Sequence, residues 1–183
     1  MDNLLSSALR VASKYHEGQK RKGKDVPYIV HPIETAMILI NNDMGDEIIA
    51  AGFLHDVLED TKMTEEKLKD IFNERIVNLV KGASESLEDR EKISWEERKK
   101  HTIEYLKIAE KDVKSITCAD KLSNIKSMKA DYEKIGDKLW DRFNRGYGKQ
   151  KWYYESLVDS LKELEGLKMY KEFKSVVEKL FKE

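Results

Sequence analysis

Apolar residues recur along the 183-residue chain at spacings of three and four, the period of amphipathic helices, and strand-like alternation is absent. Leu4, Leu5, Ala8, Val11, Ala12 and Tyr15 form the stripe of a first helix predicted to end near Gly18, with a loop from Gln19 to Pro27. His31-Pro32 opens a second helix carrying Ala36, Met37, Leu39 and Ile40. Asp46 is placed as the cap of a third that runs through Phe53 to Asp60. Thr64, followed by two glutamates, reads as the start of short helices bearing Leu68, Ile71 and Phe72, then Ile76, Val77, Leu79 and Val80. The charged stretch 84–100 predicts a loop entering a helix at Ser94 that continues through Ile103, Leu106 and Ile108. A further helix spans Val113 to Met128. Beyond the glycine-punctuated stretch 136–148, Trp152 to Leu164 and Tyr170 to Phe181 complete the set.

Two prolines and nine glycines leave few breakers, so the expectation is one all-α domain over residues 1–183, without repeats or linkers. Charge adds an exclusion: 34 basic against 35 acidic side chains give no global field to draw nucleic acid or an anionic membrane, so neither is expected as a partner. A phosphate-bearing ligand would need a local basic patch. The single cysteine, Cys118, rules out an intramolecular disulfide, fits a reducing compartment and reads as core filler. No apolar run reaches the roughly 18 to 20 residues of a membrane span and the N-terminus lacks a basic signal-peptide start, which makes the cytoplasm the expected location.

The apolar segment Ala50 to Thr61 is interrupted by His55-Asp56 and, one turn on, by Glu59-Asp60. At about 100° per residue, 55 and 59 lie ~40° apart on a helix, as do 56 and 60. Removing such a cluster from water without a partner is strongly unfavourable, so a bound cation or a catalytic role is the natural reading. A divalent metal takes imidazole nitrogens and carboxylate oxygens, yet adjacent helical residues cannot alone surround it. His31, stiffened between Pro27 and Pro32, and Asp120, with Asn124 one turn beyond, are the candidate companions. Taken singly, each has a plainer reading: a hydrogen-bonded structural histidine and a surface pair with Lys121.

Four ordered motifs carry a resemblance covering most of the first 130 positions. They are residues 12–22 (ASKYHEGQKRK), 27–32 (PYIVHP), 53–61 (FLHDVLEDT) and 119–124 (ADKLSN). Together they resemble the HD-domain metal-dependent phosphohydrolases, and are similar in particular to the hydrolase domain of RelA/SpoT-type alarmone enzymes and their small single-domain relatives. The resemblance implies a single compact helical bundle, with the motifs inside residues 8–130 and the helices of 131–183 completing it. It implies a manganese-dependent enzyme, other divalent transition metals being acceptable to the same ligands. The implied reaction removes the 3′-pyrophosphate from guanosine tetra- or pentaphosphate.

By motif position, His31, His55, Asp56 and Asp120 would hold the metal, and Glu59 and Asp60 would form the catalytic acidic pair. Such a centre polarises a phosphoryl oxygen and lowers the pKa of water, which a carboxylate one turn away can orient or deprotonate. Arg21 and Lys22, in a loop with Lys20 and Lys24, would supply the local cations, and Asn124 a further substrate contact. His16, outside the metal set, reads as structural or as a support behind the metal ligands, and Arg98 and Lys99 as phosphate contacts only if their helix closes over the site. A homodimer is a further expectation. Alternatives are an HD-type phosphatase acting on another nucleotide, such as a nucleoside monophosphate, a dNTP or a phosphorylated dinucleotide, and a non-catalytic nucleotide sensor. Two departures stand out. Ala83-Ser84-Glu85 places an acid where the family commonly carries Val-Thr-Lys. The C-terminal stretch does not resemble the family's better-known continuation, and no synthetase domain is expected.

Overall fold

A computed structural model of the protein describes residues 3–85 and 92–182. The described chain is helical: α1 (Leu4–Tyr15), α2 (Val30–Ile40), α3 (Asp46–Leu54), α4 (Val57–Asp60), α5 (Glu65–Lys69), α6 (Glu74–Ala83), α7 (Trp95–Ile108), α8 (Lys111–Ile135), α9 (Gly146–Ser160) and α10 (Lys168–Leu180). Two 3₁₀ turns, Gly136–Arg142 and Lys162–Leu164, flank α9. Among the described residues the extended pairing is an isolated antiparallel bridge between Lys20 and Pro27.

Local chemistry sets several of these boundaries. Asn3, Thr64 and Asn73 accept backbone N–H groups at the starts of α1, α5 and α6. Ser94 and Glu97 form a reciprocal capping box at α7. The predicted start at Ser94 therefore coincides with the observed cap, whereas part of the loop expected before it, residues 86–91, lies outside the described residues. The cap expected at Asp46 falls one residue earlier, on Gly45. Asp46 and Glu47 occupy the first turn instead, where carboxylates favour the exposed N–H ends.

The third helix is not continuous as expected: it stops at Leu54, His55-Asp56 form a turn, and α4 resumes at Val57. Side chains take two of the backbone acceptors here. His55 Nδ1 bonds the Gly52 carbonyl at 2.9 Å, and the Ser84 hydroxyl donates to the His55 carbonyl at 2.9 Å.

α8 is the axis of the molecule. Residues 113–120 are buried without interruption, because α2, α3, α6 and α10 all pack against this helix while α1 packs on α3. Leu39, Leu54, Ile116, Leu122, Leu157 and Phe173 are among its fully buried side chains. Cys118 is buried in the same core, and that burial pushes its thiol up to about 12, as expected of a filler. α8 runs through position 130 to Ile135, so the stretch that completes the bundle begins inside a helix. Ile108, the last residue of α7, is 84% exposed. It follows Leu106 by two residues, which turns it to the opposite face.

Candidate metal centre and its cleft

Three core elements deliver the ionisable residues: His31 from the first turn of α2, His55 and Asp56 from the α3–α4 turn, and Asp120 from the middle of α8. His31 and His55 are each 2% exposed and Asp120 6%. The two imidazole Nε2 atoms stand 3.3 Å apart. Asp56 Oδ2 is 3.0 Å from His55 Nε2 and 3.7 Å from His31 Nε2, and Asp120 Oδ1 is 3.1 Å and 3.8 Å from the nitrogens of His31 and His55. Donor atoms of His31, His55 and Asp56 all lie within 4.8 Å of one another, the grouping expected of residues able to share an ion, and Asp120 joins them through the two histidines.

The proton arrangement fits a cation at this point. Ser123 Oγ donates to Glu34 Oε2 at 2.8 Å and therefore accepts from His31 Nδ1–H at 2.9 Å. His55 Nδ1–H donates to the Gly52 carbonyl. Both histidines thus direct Nε2 lone pairs at carboxylate oxygens and at each other, an acceptor-against-acceptor contact that requires a proton or a metal between them. Burial lowers the His31 pKa, against the opposing pull of Asp120. Burial also disfavours charge on His55, but Asp56, with help from Asp120, outweighs it and raises that imidazole to about 9. A metal-free centre therefore holds its proton on His55. Burial of Asp56 and Asp120 is likewise overcome, by His55 in the first case and by Lys121 and His31 in the second, so both pKa values are lowered and both groups stay ionised.

The surrounding contacts include several residues that periodicity did not single out. Tyr28 Oη donates to Asp56 Oδ2 at 2.6 Å and lies 3.3 Å from Asp60 Oδ2. Burial first, then Asp56, pushes that phenol pKa up, so the hydroxyl remains a donor. His16 packs tilted against the Tyr28 ring, with centroids 4.8 Å apart, and bonds Gln19, whose amide donates to the Asp60 carbonyl at 2.8 Å. His16 thus touches the residues that hold Asp56 and Asp60 rather than the metal group itself. Lys121 Nζ is 2.7 Å from Asp120 Oδ2, in a buried setting rather than as a surface pair.

A cleft of about 1020 Å³ opens over this centre, lined by His31, Asp56, Glu59, Asp60, Asp120 and Asn124 and also by Arg21. Arg21 donates to Asn124 Oδ1 at 2.8 Å, and Asn124 in turn donates to Asp120 Oδ1 at 2.6 Å. Glu59 Oε2 accepts the Glu85 backbone N–H at 3.1 Å. Lys22 departs from expectation: it does not line the cleft, its ammonium standing 5.9 Å from the Phe143 ring. The basic loop is turned towards neighbouring elements, with Lys24 bonded to Ser127 and Asp131 and Lys20 to Asp25. Lys99, Thr117, Lys121 and Tyr153 also line the cleft. Tyr153 and Tyr154 are both buried.

The HD domain family profile matches residues 8–143. A probable guanosine-3′,5′-bis(diphosphate) 3′-pyrophosphohydrolase from Mycoplasma pneumoniae (strain ATCC 29342 / M129 / Subtype 1) is 32% identical over 133 residues, covering 68% of this chain and 18% of its own length. Its counterpart from Spiroplasma citri is 37% identical over 130 residues, covering 68% and 17%. The chain thus spans less than a fifth of the length of these curated relatives. Among solved structures, lmo0812 from Listeria monocytogenes EGD-e shares 34% identity with a TM-score of 0.77, covering 84% of this chain and 99% of that one. A metazoan ortholog of SpoT that hydrolyses ppGpp shares the fold, at 21% identity and a TM-score of 0.79 over 98% of this chain and 97% of that one.

Proposed function

The chain belongs to the HD domain family, and from that premise we propose that it is a metal-dependent phosphohydrolase that releases pyrophosphate from guanosine-3′,5′-bis(diphosphate). The observation that carries this reading is the meeting of two imidazole Nε2 atoms and two carboxylates at the floor of an open cleft. His31, His55, Asp56 and Asp120 would hold a divalent ion, with Mn²⁺ as the proposed occupant. Their two negative charges balance it. The bound ion supplies Lewis-acid activation of water and neutralises charge at the phosphoryl group. The relatives named for the same substrate support the choice of nucleotide.

The chain's own residues have the following roles in this proposal. Glu59 and Asp60 take the proton from a water that attacks the phosphorus nearest the ribose. The bond from that phosphorus to the 3′ oxygen breaks, the oxygen leaves with a proton, and GDP and pyrophosphate result. Glu59 is held by the Glu85 N–H, while Asp60 is held near the centre by Tyr28 and by Gln19 through its carbonyl. Arg21, whose hydrogen-bond partner is an amide rather than a carboxylate, offers its guanidinium to phosphate oxygens. Asn124 positions it and closes the chain of contacts back to Asp120. Lys22 has no part in this scheme.

The test is incubation of the protein with Mn²⁺ and guanosine-3′,5′-bis(diphosphate), followed by assay for pyrophosphate. Release by the wild type and its loss in Asp56→Ala are expected. An untouched substrate with metal verifiably bound would overturn the assignment.

A further inference from the structure

Four lysine and arginine residues line the cleft, and three of them already face a carboxylate that lines it too. Lys81 is 2.8 Å from Glu65, Lys121 is 2.7 Å from Asp120 and Lys99 is 3.0 Å from Glu85, while Arg21 bonds Asn124. The Lys99 pair differs from the others in its construction. Glu85 uses both carboxylate oxygens, Oε1 on Lys99 and Oε2 on Arg98 Nη1 at 2.6 Å. Its side chain is only 11% exposed, with those of Arg98 and Lys99 at 19% and 18%. The two cations come from successive positions near the start of α7, so one acid is shared between them and offsets one of their two charges, beside Lys99 at the cleft wall. Lys99 also lies 5.0 Å from the Tyr153 ring centroid, which keeps its ammonium at the wall.

We propose that Glu85 is a specificity-determining residue, an internal carboxylate that occupies the Lys99–Arg98 pair and limits how much anionic charge the α7 wall accepts from a nucleotide. A phosphate approaching Lys99 competes with Glu85 Oε1 for the same N–H donors, and in a mostly desolvated pair that competition is strong. The penalty grows with each phosphate beyond those held at the metal centre and by Arg21. The inference deepens the function proposed above and rests on it for the identity of the substrate series.

Glu85→Gln removes the negative charge and one of the two accepting oxygens while keeping the side chain's size and the backbone N–H that holds Glu59. The substrates are guanosine 3′-diphosphates carrying one, two or three phosphates at the 5′ position, assayed with Mn²⁺. Relative to wild type, Glu85→Gln raises the ratio of kcat/KM for the 5′-triphosphate over the 5′-monophosphate by about tenfold, mainly through KM. Lys99→Gln lowers the same ratio. A ratio within twofold of wild type in Glu85→Gln, or an equal gain for all three substrates, overturns the proposal.

Calorimetric binding of GMP, GDP and GTP to the same proteins separates this inference from the function it rests on. A higher GTP-over-GMP preference in Glu85→Gln, without turnover of any 3′-diphosphate, upholds the charge limit and sinks the hydrolase reading. Normal hydrolysis with an unmoved preference does the reverse. Failure of both proteins to bind any of the three nucleotides also overturns the charge limit.

Discussion

His31 shows how one side chain is prepared by its neighbours: Ser123 accepts its Nδ1–H, Glu34 accepts the Ser123 hydroxyl, and Nε2 is left as an acceptor facing Asp120. Removing that support with Ser123→Ala should weaken metal affinity by about 10–100-fold, as loss of such outer contacts typically does. Titration of the metal-free variant with Mn²⁺ reads this directly. A second distinction separates the two acidic pairs. Asp56→Ala should lose metal and activity together, whereas Glu59→Gln should keep stoichiometric metal by elemental analysis and lose activity by about 10²-fold or more.

The proton on His55 adds a pH dependence whose sign follows from its pKa, raised from 6.5 to about 9. In the metal-free protein, the stabilisation from protonated His55 is fully present below pH 6.5 and is lost as pH rises through about 9. Metal needs the same nitrogen without its proton, so affinity should tighten over that window by up to about tenfold per unit and level off above it. Thermal melts of chelated protein and metal titrations between those limits check both halves, and a flat profile in each would contradict the assignment. Ionisable residues in an apolar segment were legible because their burial demands an explanation. Tyr28, Gln19 and Ser123 were not, since the bonds that tie them to the centre reach 28, 41 and 92 positions along the chain, to Asp56, Asp60 and His31. The direction of Lys22 was not legible for a related reason: loop composition shows that cations are near one another, not which way each points, and its ammonium stands by the Phe143 ring.

At the level of elements, periodicity located the amphipathic helices, and cap chemistry located the starts at Thr64 and Ser94. It failed where tertiary bonds override local preference. At the break between α3 and α4 the His55 carbonyl accepts from Ser84, 29 positions further along the chain, a partner that lies outside residues 50–61. The close approach of α6 to its neighbours was equally hidden. A Cβ on Gly82 would stand 2.8 Å and 3.3 Å from the two Val113 methyl carbons and 3.1 Å from the Tyr105 hydroxyl. Val113 is β-branched and buried, so it has little freedom to move aside. Gly82→Ala sets overpacking of about 1–3 kcal/mol against a gain of roughly 1 kcal/mol in helix propensity. A net destabilisation of about 1 kcal/mol, visible as a lower urea midpoint at unchanged slope, is expected. A stabilised variant would mean that α6 and α8 separate freely.

For the whole molecule, the near-neutral charge of 34 basic and 35 acidic residues corresponds to a cleft whose lysines are largely paired, leaving Arg21 as the lining cation bonded to an amide. The metal ligands have a mechanical consequence on the same scale. They come from α2, the α3–α4 turn and α8, which are mutually packed core elements, so one ion would cross-link the centre of the fold rather than its edge. An ion that binds the native state and not the unfolded chain adds about 2.7 kcal/mol at a hundredfold excess over its Kd. In a domain of this size that corresponds to a rise in Tm of roughly 5–10 °C. Chelation should reverse the rise, and Asp120→Ala should abolish the response to metal while leaving a cooperative transition. Persistence of the full metal-induced rise in Asp120→Ala would place the stabilising ion elsewhere and separate it from the His31–His55–Asp56 group.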